Sequence, residues 1–420
     1  MKPRVGRMQS NIGLQAIALA GSTGTAQIIM AVLYIFTARS SAPSEFGLVI
    51  TAIALGTVAV GLLDFGTNSY WTREAAANRL NPPLLGMRLA SKFLYSAAVL
   101  AVWTLITSTL FPASSLWMAG PVAMSIIFNQ SCQVPLRALG RNDLVAIAIL
   151  LDKTLAGAFF MILMALQTSP ISALWLSLSI GGISSALMCW RLTPRLSRPR
   201  LALRRSTNPW SEASHYGIAT VAMTAQSLDI PMLTLFGGTG ATGTYGAVSR
   251  WTQPMGLFAS AFSSASAPHI AKARSAREAW GSARKSIWLL GVAVGLSLLT
   301  AILAPFIVDT LIGPNYPGSA DVLRILAAAT ILSIANQPLY VFLQARGFDK
   351  QIALITLASV SVQLTLVAIL SGTMHAPGAA MAALCTQLVM LILLGSLLAN
   401  NWGQLSSDGR ITENESVVTE

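Results

Sequence analysis

Charged residues are scarce in this sequence, and their scarcity excludes a water-soluble globular fold. Aspartate, glutamate, lysine and arginine make up 10% of the 420 residues, whereas 54% are apolar and the mean hydropathy is +0.64. Soluble globular chains average about 25% charged residues, so this chain lacks the polar surface that water requires. Its long apolar runs do not alternate with polar residues, which argues against a β-barrel. The composition predicts an all-α polytopic membrane protein.

Residues for covalent, metal or nucleotide chemistry are also sparse. The three histidines lie far apart, and no Gly-Lys-Ser/Thr phosphate loop is present. The cysteines fall inside apolar segments, without metal-ligand spacing or an even disulfide set, at Cys132, Cys189 and Cys385. We therefore expect no cofactor, no metal site, no ATP hydrolysis and no enzymatic activity.

The net charge of +12 does not indicate a nucleic-acid partner. The basic residues lie in short clusters between apolar runs rather than along one soluble face. Such clusters are typical of loops that remain on the cytoplasmic side of a membrane.

Twelve transmembrane spans fit the apolar runs, because a bilayer core of about 30 Å requires about 20 apolar residues per helix. We place the spans at 12–37, 46–68, 88–111, 116–138, 144–167, 170–190, 212–236, 244–266, 286–308, 320–343, 351–371 and 377–399. With these spans, 24 of the 27 lysines and arginines lie on one side, Lys92, Arg137 and Lys153 among them. The positive-inside rule then predicts that both termini are cytoplasmic.

A basic loop at residues 191–211 divides the chain into two six-helix lobes, 1–190 and 212–400, which are followed by a polar tail at 401–420. We expect that tail to be disordered. The lobes contain a repeat: "NQSCQVPLRALG" at 129–140 matches "NQPLYVFLQARG" at 336–347 in six of twelve positions. Because each lobe has an even number of spans, the two copies share one orientation. This arrangement predicts a substrate path between the lobes.

Two ionisable residues inside spans are the main candidates for function, since burying a charge in a bilayer costs at least about 2.5–3.5 kcal/mol. Asp229 and Arg250 lie at similar depths on consecutive antiparallel spans, roughly 11 Å from the outer ends at about 1.5 Å per residue. They form either an ion pair that fixes the two helices or a substrate site. In the site, Arg250 contacts an anionic group and Asp229 orients it or accepts a proton.

Asp64, near the cytoplasmic end of the second span, has two interpretations. It either caps backbone groups or meets Arg73, or it lines the inward-facing mouth of the path.

Amides inside the spans need partners and mark interhelical contacts or a hydrated cavity. Ten occur, at Gln27, Asn129, Gln130, Gln133, Gln226, Gln253, Asn336, Gln337, Gln363 and Gln387. Together they suggest a polar lumen for a hydroxylated ligand. Five of these amides are candidate substrate-binding residues, together with Arg250, Asp229 and Asp64. They are Asn129, Gln130, Asn336, Gln337 and Gln253.

The first hairpin, "ARSSAPSEFGLV" through "DFGTNSYW", resembles that of bacterial polysaccharide-biosynthesis flippases, members of the multidrug/oligosaccharidyl-lipid/polysaccharide exporter superfamily. "GATGTYGAVSRW" is similar to the family's Gly-x-Tyr opening of the eighth helix, with Arg250 at a frequently basic position, and "PLRALGRND" to the end of its fourth helix. The matching residues of the hairpin are Arg39, Pro43, Glu45, Phe46, Gly47, Asp64, Phe65 and Gly66. Arg39 and Glu45 flank the outer turn, where an ion pair would contribute about 0–1 kcal/mol.

The resemblance implies a multi-pass protein of the bacterial cytoplasmic membrane that flips an undecaprenyl-pyrophosphate-linked oligosaccharide by alternating access. An arginine in the cavity would bind pyrophosphate, the amides would bind sugars, and membrane lipids and a polymerase or ligase of the same pathway would be partners. With Arg250 as the only cation well inside a span, a strongly cationic lumen is not expected. A drug/cation antiporter of the same superfamily would need more embedded carboxylates. A membrane-embedded glycan polymerase or ligase would typically carry a large periplasmic loop.

The two interpretations of Asp229 and Arg250 predict different results for exchanging their charges. If the residues form a structural pair, each single variant abolishes export and the double variant Asp229→Arg/Arg250→Asp restores it. If Arg250 contacts substrate, the exchange never rescues export.

Overall fold

The computed structural model describes residues 12–199, 208–273, 278, 280–281, 284 and 286–406. Across these residues the chain is almost entirely helical and contains no β-strand, so the predicted all-α class is confirmed. The first 11 residues, residues 200–207 of the basic inter-lobe loop and the end of the polar tail fall outside the described residues.

Long helices joined by short turns make up the first half of the chain. Several begin with proline at the first helical position. A backbone N–H at this position has no partner within the helix, so proline, which lacks the N–H, costs no hydrogen bond there. The helices are α1 (Ile12–Arg39), α2 (Pro43–Asp64), α3 (Thr67–Ala76), α4 (Pro82–Leu110), α5 (Ala119–Ala138), α6 (Asn142–Ala165) and α7 (Pro170–Leu192).

Helices of the second half are more often interrupted. They are α8 (Ser214–Ala225), α9 (Asp229–Gly237), α10 (Thr239–Ser249), α11 (Met255–Lys272), α12 (Ile287–Ile302), α13 (Ser319–Ala345) and α14 (Asp349–Ser406). A short helical segment, Ala304–Ile312, follows α12 at an angle of 72°.

Seven of the described helices are long and apolar enough to cross a membrane, or eight if α12 and its bent continuation form one crossing. The longest, Asp349–Trp402, has 54 residues and would extend about 80 Å at about 1.5 Å per residue, more than two bilayer cores. Its helical geometry breaks at His375, where φ is 55° and ψ is −127°. The chain is a multi-pass membrane protein, and the number of twelve spans stays a prediction.

Most predicted spans coincide with helices to within a few residues, but three do not. The predicted span 286–308 contains the 72° bend between α12 and the segment Ala304–Ile312. The predicted span 212–236 is divided between α8 and α9 by a short 3₁₀ turn at Gln226–Leu228. The predicted span 244–266 begins inside α10 and contains the break before α11. In addition, α14 continues to Ser406, so its last turn overlaps the predicted polar tail at 401–420.

Helix α2 joins the two halves of the chain, since it packs against α10 near its start and against α8 near its end. A Cβ on Gly47 would lie 1.9 Å from the Thr239 carbonyl oxygen, and one on Gly243 would lie 1.9 Å from that of Pro43. Real Cβ atoms do not approach so closely. The seam between α2 and α10 therefore requires glycine at both positions.

The turn between α1 and α2 marks one end of the bundle, which we call the hairpin end. Here Arg39 Nη1 donates to the carbonyl of Thr310 at 2.9 Å, and the Tyr316 hydroxyl donates to that of Ala38 at 2.8 Å. No ion pair between Arg39 and Glu45 occurs among the described residues. Through Thr310, Arg39 contacts the second half of the chain instead.

The opposite end carries the arginine-rich loops, and we call it the basic end. The indole N–H of Trp210 donates to the carbonyl of Leu63 at 2.9 Å, and Arg73 Nη1 donates to the Tyr216 hydroxyl at 2.6 Å. Contacts between the halves therefore exist at both ends of α2.

Both copies of the repeated segment have the same local structure. Each forms the end of a helix, α5 or α13, and each helix is followed by a glycine with positive φ, 68° at Gly140 and 87° at Gly347. Glycine adopts this conformation without the steric cost of a Cβ. The segments 129–140 and 336–347 therefore occupy equivalent positions at the ends of their helices.

We expect the substitution Gly47→Ala to open the hairpin end. The added methyl group would overlap the Thr239 carbonyl, so α2 and α10 must separate, although alanine is the better helix former by roughly 1 kcal/mol. A cysteine introduced at Thr51, which is buried and hydrogen-bonds to Thr234 in this seam, should then react several times faster with a water-soluble maleimide. The measurement uses a variant whose native cysteines are replaced by serine.

Gly295→Ala is the matched control, because nothing lies within 4 Å of a Cβ at that position. An unchanged labelling rate in the Gly47→Ala variant would show that the seam does not depend on close backbone contact.

Candidate functional site

A cavity inside the bundle is lined by polar side chains from both halves of the chain. It encloses about 1360 Å³, including the part that opens to solvent. Helices α1, α2, α5, α6 and α7 line it from the first half, and the turn after α10 lines it from the second. Its polar lining residues are Thr23, Gln27, Tyr34, Thr57, Ser125, Asn129, Gln130, Gln133, Arg137, Asp152, Lys153, Arg250 and Gln253.

Arg250 reaches the cavity from the second half because α10 ends at Ser249 and the chain turns before α11. Its guanidinium lies 4.8 Å from the ring centroid of Tyr34 on α1, within range of a cation–π interaction. Gln253 in the same turn lines the same cavity and is exposed. The second half thus contributes one cation and one amide.

A hydrogen-bonded network forms the cavity wall in the first half. Asn129 Nδ2 donates to Asp152 Oδ2 at 3.0 Å, and Asn129 Oδ1 accepts from Gln133 Nε2 and Ser185 Oγ, both at 3.0 Å. Lys153 Nζ lies 3.0 Å from the same Asp152 oxygen. Because the Asp152 side chain is only 9% exposed, its charge needs these partners to be tolerated.

Three cations face the cavity against one carboxylate. Arg137 donates to Gln133 Oε1 at 3.0 Å, and no carboxylate of the described residues lies within 4.0 Å of it. Arg137, Lys153 and Arg250 carry three positive charges and Asp152 one negative charge, which leaves a formal charge of +2 on the lining. The expectation that Arg250 is the only well-embedded cation is therefore wrong.

Lys92 and Lys153 explain this error, because both count among the 24 basic residues assigned to one side of the membrane. Lys92 is the eleventh residue of α4 and Lys153 the twelfth of α6, so each lies about 15 Å or more along its helix at about 1.5 Å per residue. Counting the basic residues near each loop treats all of them alike. The count therefore does not distinguish a cation in the loop itself from a cation inside a helix that is paired with a carboxylate.

Asp229 begins α9 and is not among the residues that line the cavity. Its Oδ1 accepts from the backbone N–H of Ile230 at 2.7 Å, and its carboxylate interacts with the Tyr245 hydroxyl and the charge of Arg250. No salt bridge within 4.0 Å joins Asp229 to Arg250. The two charges attract each other over a longer distance.

Asp64 lies at the end of α2 in a separate buried cluster. Its carboxylate pairs with Lys92 and accepts from the Thr67 hydroxyl at 3.1 Å and the Asn68 backbone N–H at 3.3 Å. The predicted capping of backbone groups is present. Its charged partner is Lys92 and not Arg73, which binds the second half instead.

The five amides that are candidate substrate-binding residues divide into two groups. Asn129, Gln130 and Gln253 come together with Arg250 in the cavity. Asn336 and Gln337 do not line it and instead join helices of the second half. The amide of Asn336 donates to the side-chain and backbone oxygens of Gln387 at 3.0 and 3.1 Å, and Gln337 Oε1 accepts from Ser263 Oγ at 3.0 Å.

Three ionisable cavity residues, Arg137, Asp152 and Lys153, are missing from the sequence-based candidates. Asp152 and Lys153 nevertheless carry a signal, since they are adjacent in the apolar run "LVAIAILLDKTLAGAFFMILM". Charges at such a position are costly unless they are paired or face water. Arg137 carries no such signal because it lies near the end of its helix.

A charged contact also links the halves at the basic end. Glu212, just before α8, accepts from the Tyr70 hydroxyl at 2.9 Å and from Arg88 Nη2 at 3.3 Å. The hydrogen bond from Tyr70 and the positive charge of Arg88 lower the pKa of the Glu212 carboxyl below its ordinary value. The contact of ionised Glu212 with Tyr70 and Arg88 is therefore fully present at a pH above the ordinary pKa of a carboxyl group. It is lost as the pH falls through the lowered pKa of Glu212.

Solved structures of transporters and of a lipid flippase match nearly the whole chain. The chain is similar to the lipid II flippase MurJ in an inward closed conformation, with a TM-score of 0.73, 12% identity, and coverage of 92% of this chain and 87% of that one. It is also similar to an inward-facing multidrug resistance MATE family transporter of the MOP superfamily, with a TM-score of 0.69, 14% identity, and coverage of 91% and 95%. A MOP superfamily transporter from Pyrococcus furiosus matches with a TM-score of 0.58, 14% identity, and coverage of 93% and 96%.

The fold is therefore that of a multi-pass membrane transporter. More particularly, the chain shares its fold with a MATE transporter of the MOP superfamily and with the lipid II flippase. This agrees with the resemblance seen in the first hairpin. No protein-family model and no characterised protein matches the sequence itself, and at these identities the structural likeness shows the fold alone.

We expect Asp64→Asn to destabilise the protein strongly. The Lys92 side chain is 0% exposed, and removing one partner of a buried ion pair typically costs about 3–5 kcal/mol. Thermal unfolding in detergent measures the effect.

Asp321→Asn serves as the control, since Asp321 pairs at 3.0 Å with Arg324 in an exposed contact whose expected contribution is about 0–1 kcal/mol. Equally small effects of the two substitutions would mean that the charge of Lys92 does not depend on Asp64.

Proposed function

We propose that the protein is a flippase that moves a lipid-linked oligosaccharide, a polyprenyl-pyrophosphate glycan, across the bilayer by alternating access. The direction is from the inner to the outer leaflet of a bacterial cytoplasmic membrane. In this arrangement the basic end faces the cytoplasm, as the positive-inside rule predicts. The lobes at 1–190 and 212–400 move against each other on either side of the cavity, with the basic loop at 191–211 between them.

The observation that carries the proposal is the formal charge of +2 on the cavity lining. A cavity with an excess of cations attracts an anion, and guanidinium groups bind phosphate oxygens through paired, charge-assisted hydrogen bonds. A diphosphate has enough oxygens to contact Arg137 and Lys153 on one half and Arg250 on the other. The negative charge of Asp229 would hold the Arg250 side chain in place.

The remaining polar lining suits a glycan. Amides such as Gln27 and Gln130 both donate and accept hydrogen bonds, and the hydroxyls of Thr23, Thr57 and Ser125 do the same. Sugar hydroxyl groups require such mixed partners. The polyprenyl chain would stay among the membrane lipids, and a polymerase or ligase of the same pathway would use the flipped product.

A drug/cation antiporter is the second candidate, and one observation favours it. Asp152 Oδ1 is buried and has no hydrogen-bond partner, so a proton or a cationic compound could bind there. Against this, the other oxygen of Asp152 is already paired with Lys153, and the surrounding charge repels cations.

We expect Arg250→Gln and Lys153→Gln to slow flipping by on the order of tenfold or more, because each removes a charge-assisted hydrogen bond to the diphosphate. The measurement is the accessibility of lipid-linked glycan at the outer leaflet, in a strain that lacks the gene and carries each variant. Arg324→Gln is the control, since Arg324 is exposed, lies outside the cavity and pairs with Asp321.

Unchanged exposure of the glycan at the outer leaflet of the deletion strain would overturn the proposal. Efflux of a cationic dye that is lost in Asp152→Asn, with glycan exposure unchanged in every variant, would establish the antiporter instead.

A further inference from the structure

A second pocket, which we call the vestibule, lies between α3 and α5 at the basic end. Ser69, Thr72 and Arg73 line it from α3, and Gln130, Gln133 and Arg137 line it from α5. Among the described residues no carboxylate lines the vestibule. Two guanidinium groups surrounded by hydroxyls and amides make a setting that attracts a phosphate group.

The vestibule adjoins the cavity. Gln130, Gln133 and Arg137 line both compartments. An anion that contacts Arg137 from the vestibule is therefore already in contact with a side chain of the cavity.

Arg73 has a partner that an anion can replace. Its Nη1 donates to the Tyr216 hydroxyl on α8 at 2.6 Å, and no carboxylate of the described residues lies within 4.0 Å of it. A phosphate oxygen is a stronger acceptor for a guanidinium than a neutral hydroxyl is. A phosphate group in the vestibule would thus compete with Tyr216, whose bond to Arg73 joins the two halves of the chain.

We propose that the vestibule binds the phosphate or diphosphate group of the lipid-linked substrate before the cavity does, and that this binding releases Arg73 from Tyr216. Release removes one contact between the halves at the basic end, so arrival of the substrate loosens the closure there. The inference rests on the proposed function, which supplies a substrate with a diphosphate group.

The test measures binding of farnesyl diphosphate to the full-length protein in phosphatidylcholine nanodiscs by calorimetry. Arg73→Gln is expected to weaken binding by on the order of tenfold, the usual effect of losing a charge-assisted hydrogen bond. Arg79→Gln removes the same charge nearby, but Arg79 is exposed, contacts Glu74 at 3.8 Å and does not line the vestibule. It should leave the dissociation constant unchanged.

Tyr216→Phe separates ligand binding from a purely structural role of Arg73. If the phosphate competes with Tyr216, removing its hydroxyl tightens binding several-fold. If Arg73 serves only to join the halves, Tyr216→Phe leaves binding unchanged or weakens it, and the proposal is overturned. Unfolding temperatures of all variants show whether each one is folded.

Further probes identify the source of the phosphate group. Inorganic pyrophosphate should bind with the same dependence on Arg73 but more weakly, because it has no isoprenoid chain. Tighter binding of pyrophosphate would assign the vestibule to free anions, and loss of farnesyl diphosphate binding in phosphatidylglycerol nanodiscs would assign it to lipid headgroups. Either result overturns the proposal.

The two proposals fail in different ways. If the wild-type protein does not bind farnesyl diphosphate at all, the proposed function fails and the vestibule proposal fails with it. If binding depends on Arg250 but not on Arg73, the vestibule proposal alone fails.

Discussion

A charge inside a bilayer must have a partner or reach water, and the arrangement of this protein follows from that constraint. The embedded cations satisfy it in different ways. Lys92 is fully buried and paired with a carboxylate, so it stabilises the junction of α2, α3 and α4. Lys153 is paired and faces the cavity. Arg137 and Arg250 face the cavity without a salt bridge among the described residues. Access to the cavity, rather than pairing alone, thus separates the structural cation Lys92 from those available to a ligand.

Much of the fold could be predicted from the sequence, because long apolar runs with polar turns between them leave few alternatives to membrane-spanning helices. The interruptions in the second half were harder to predict. Pro254 marks the break after Arg250, but the break at Gln226–Leu228 has neither glycine nor proline within it. Its local cause lies downstream: Pro231, the third residue of α9, cannot donate a backbone hydrogen bond to the carbonyl of Ser227 and its ring crowds that carbonyl.

The candidate site was only partly predictable. Arg250 was recognisable because it is an isolated charge between apolar residues. The partner of Asp64 was not, since Lys92 lies 28 positions away and the pairing depends on how α4 packs against α2. Likewise, sequence position does not reveal that the side chain of Arg137, near the end of its helix, faces the cavity.

The cavity cations are divided between two parts of the molecule, and this division has an electrostatic consequence. Arg137 and Lys153 are held by the network on α5 and α6, whereas Arg250 belongs to the turn after α10. Any movement of one half against the other changes the separation of these charges, while each keeps its own neighbours. Since Coulomb energy varies inversely with distance, the attraction for an anion would then vary with conformation although no residue changes its protonation. Capture and release of an anion can follow from geometry alone.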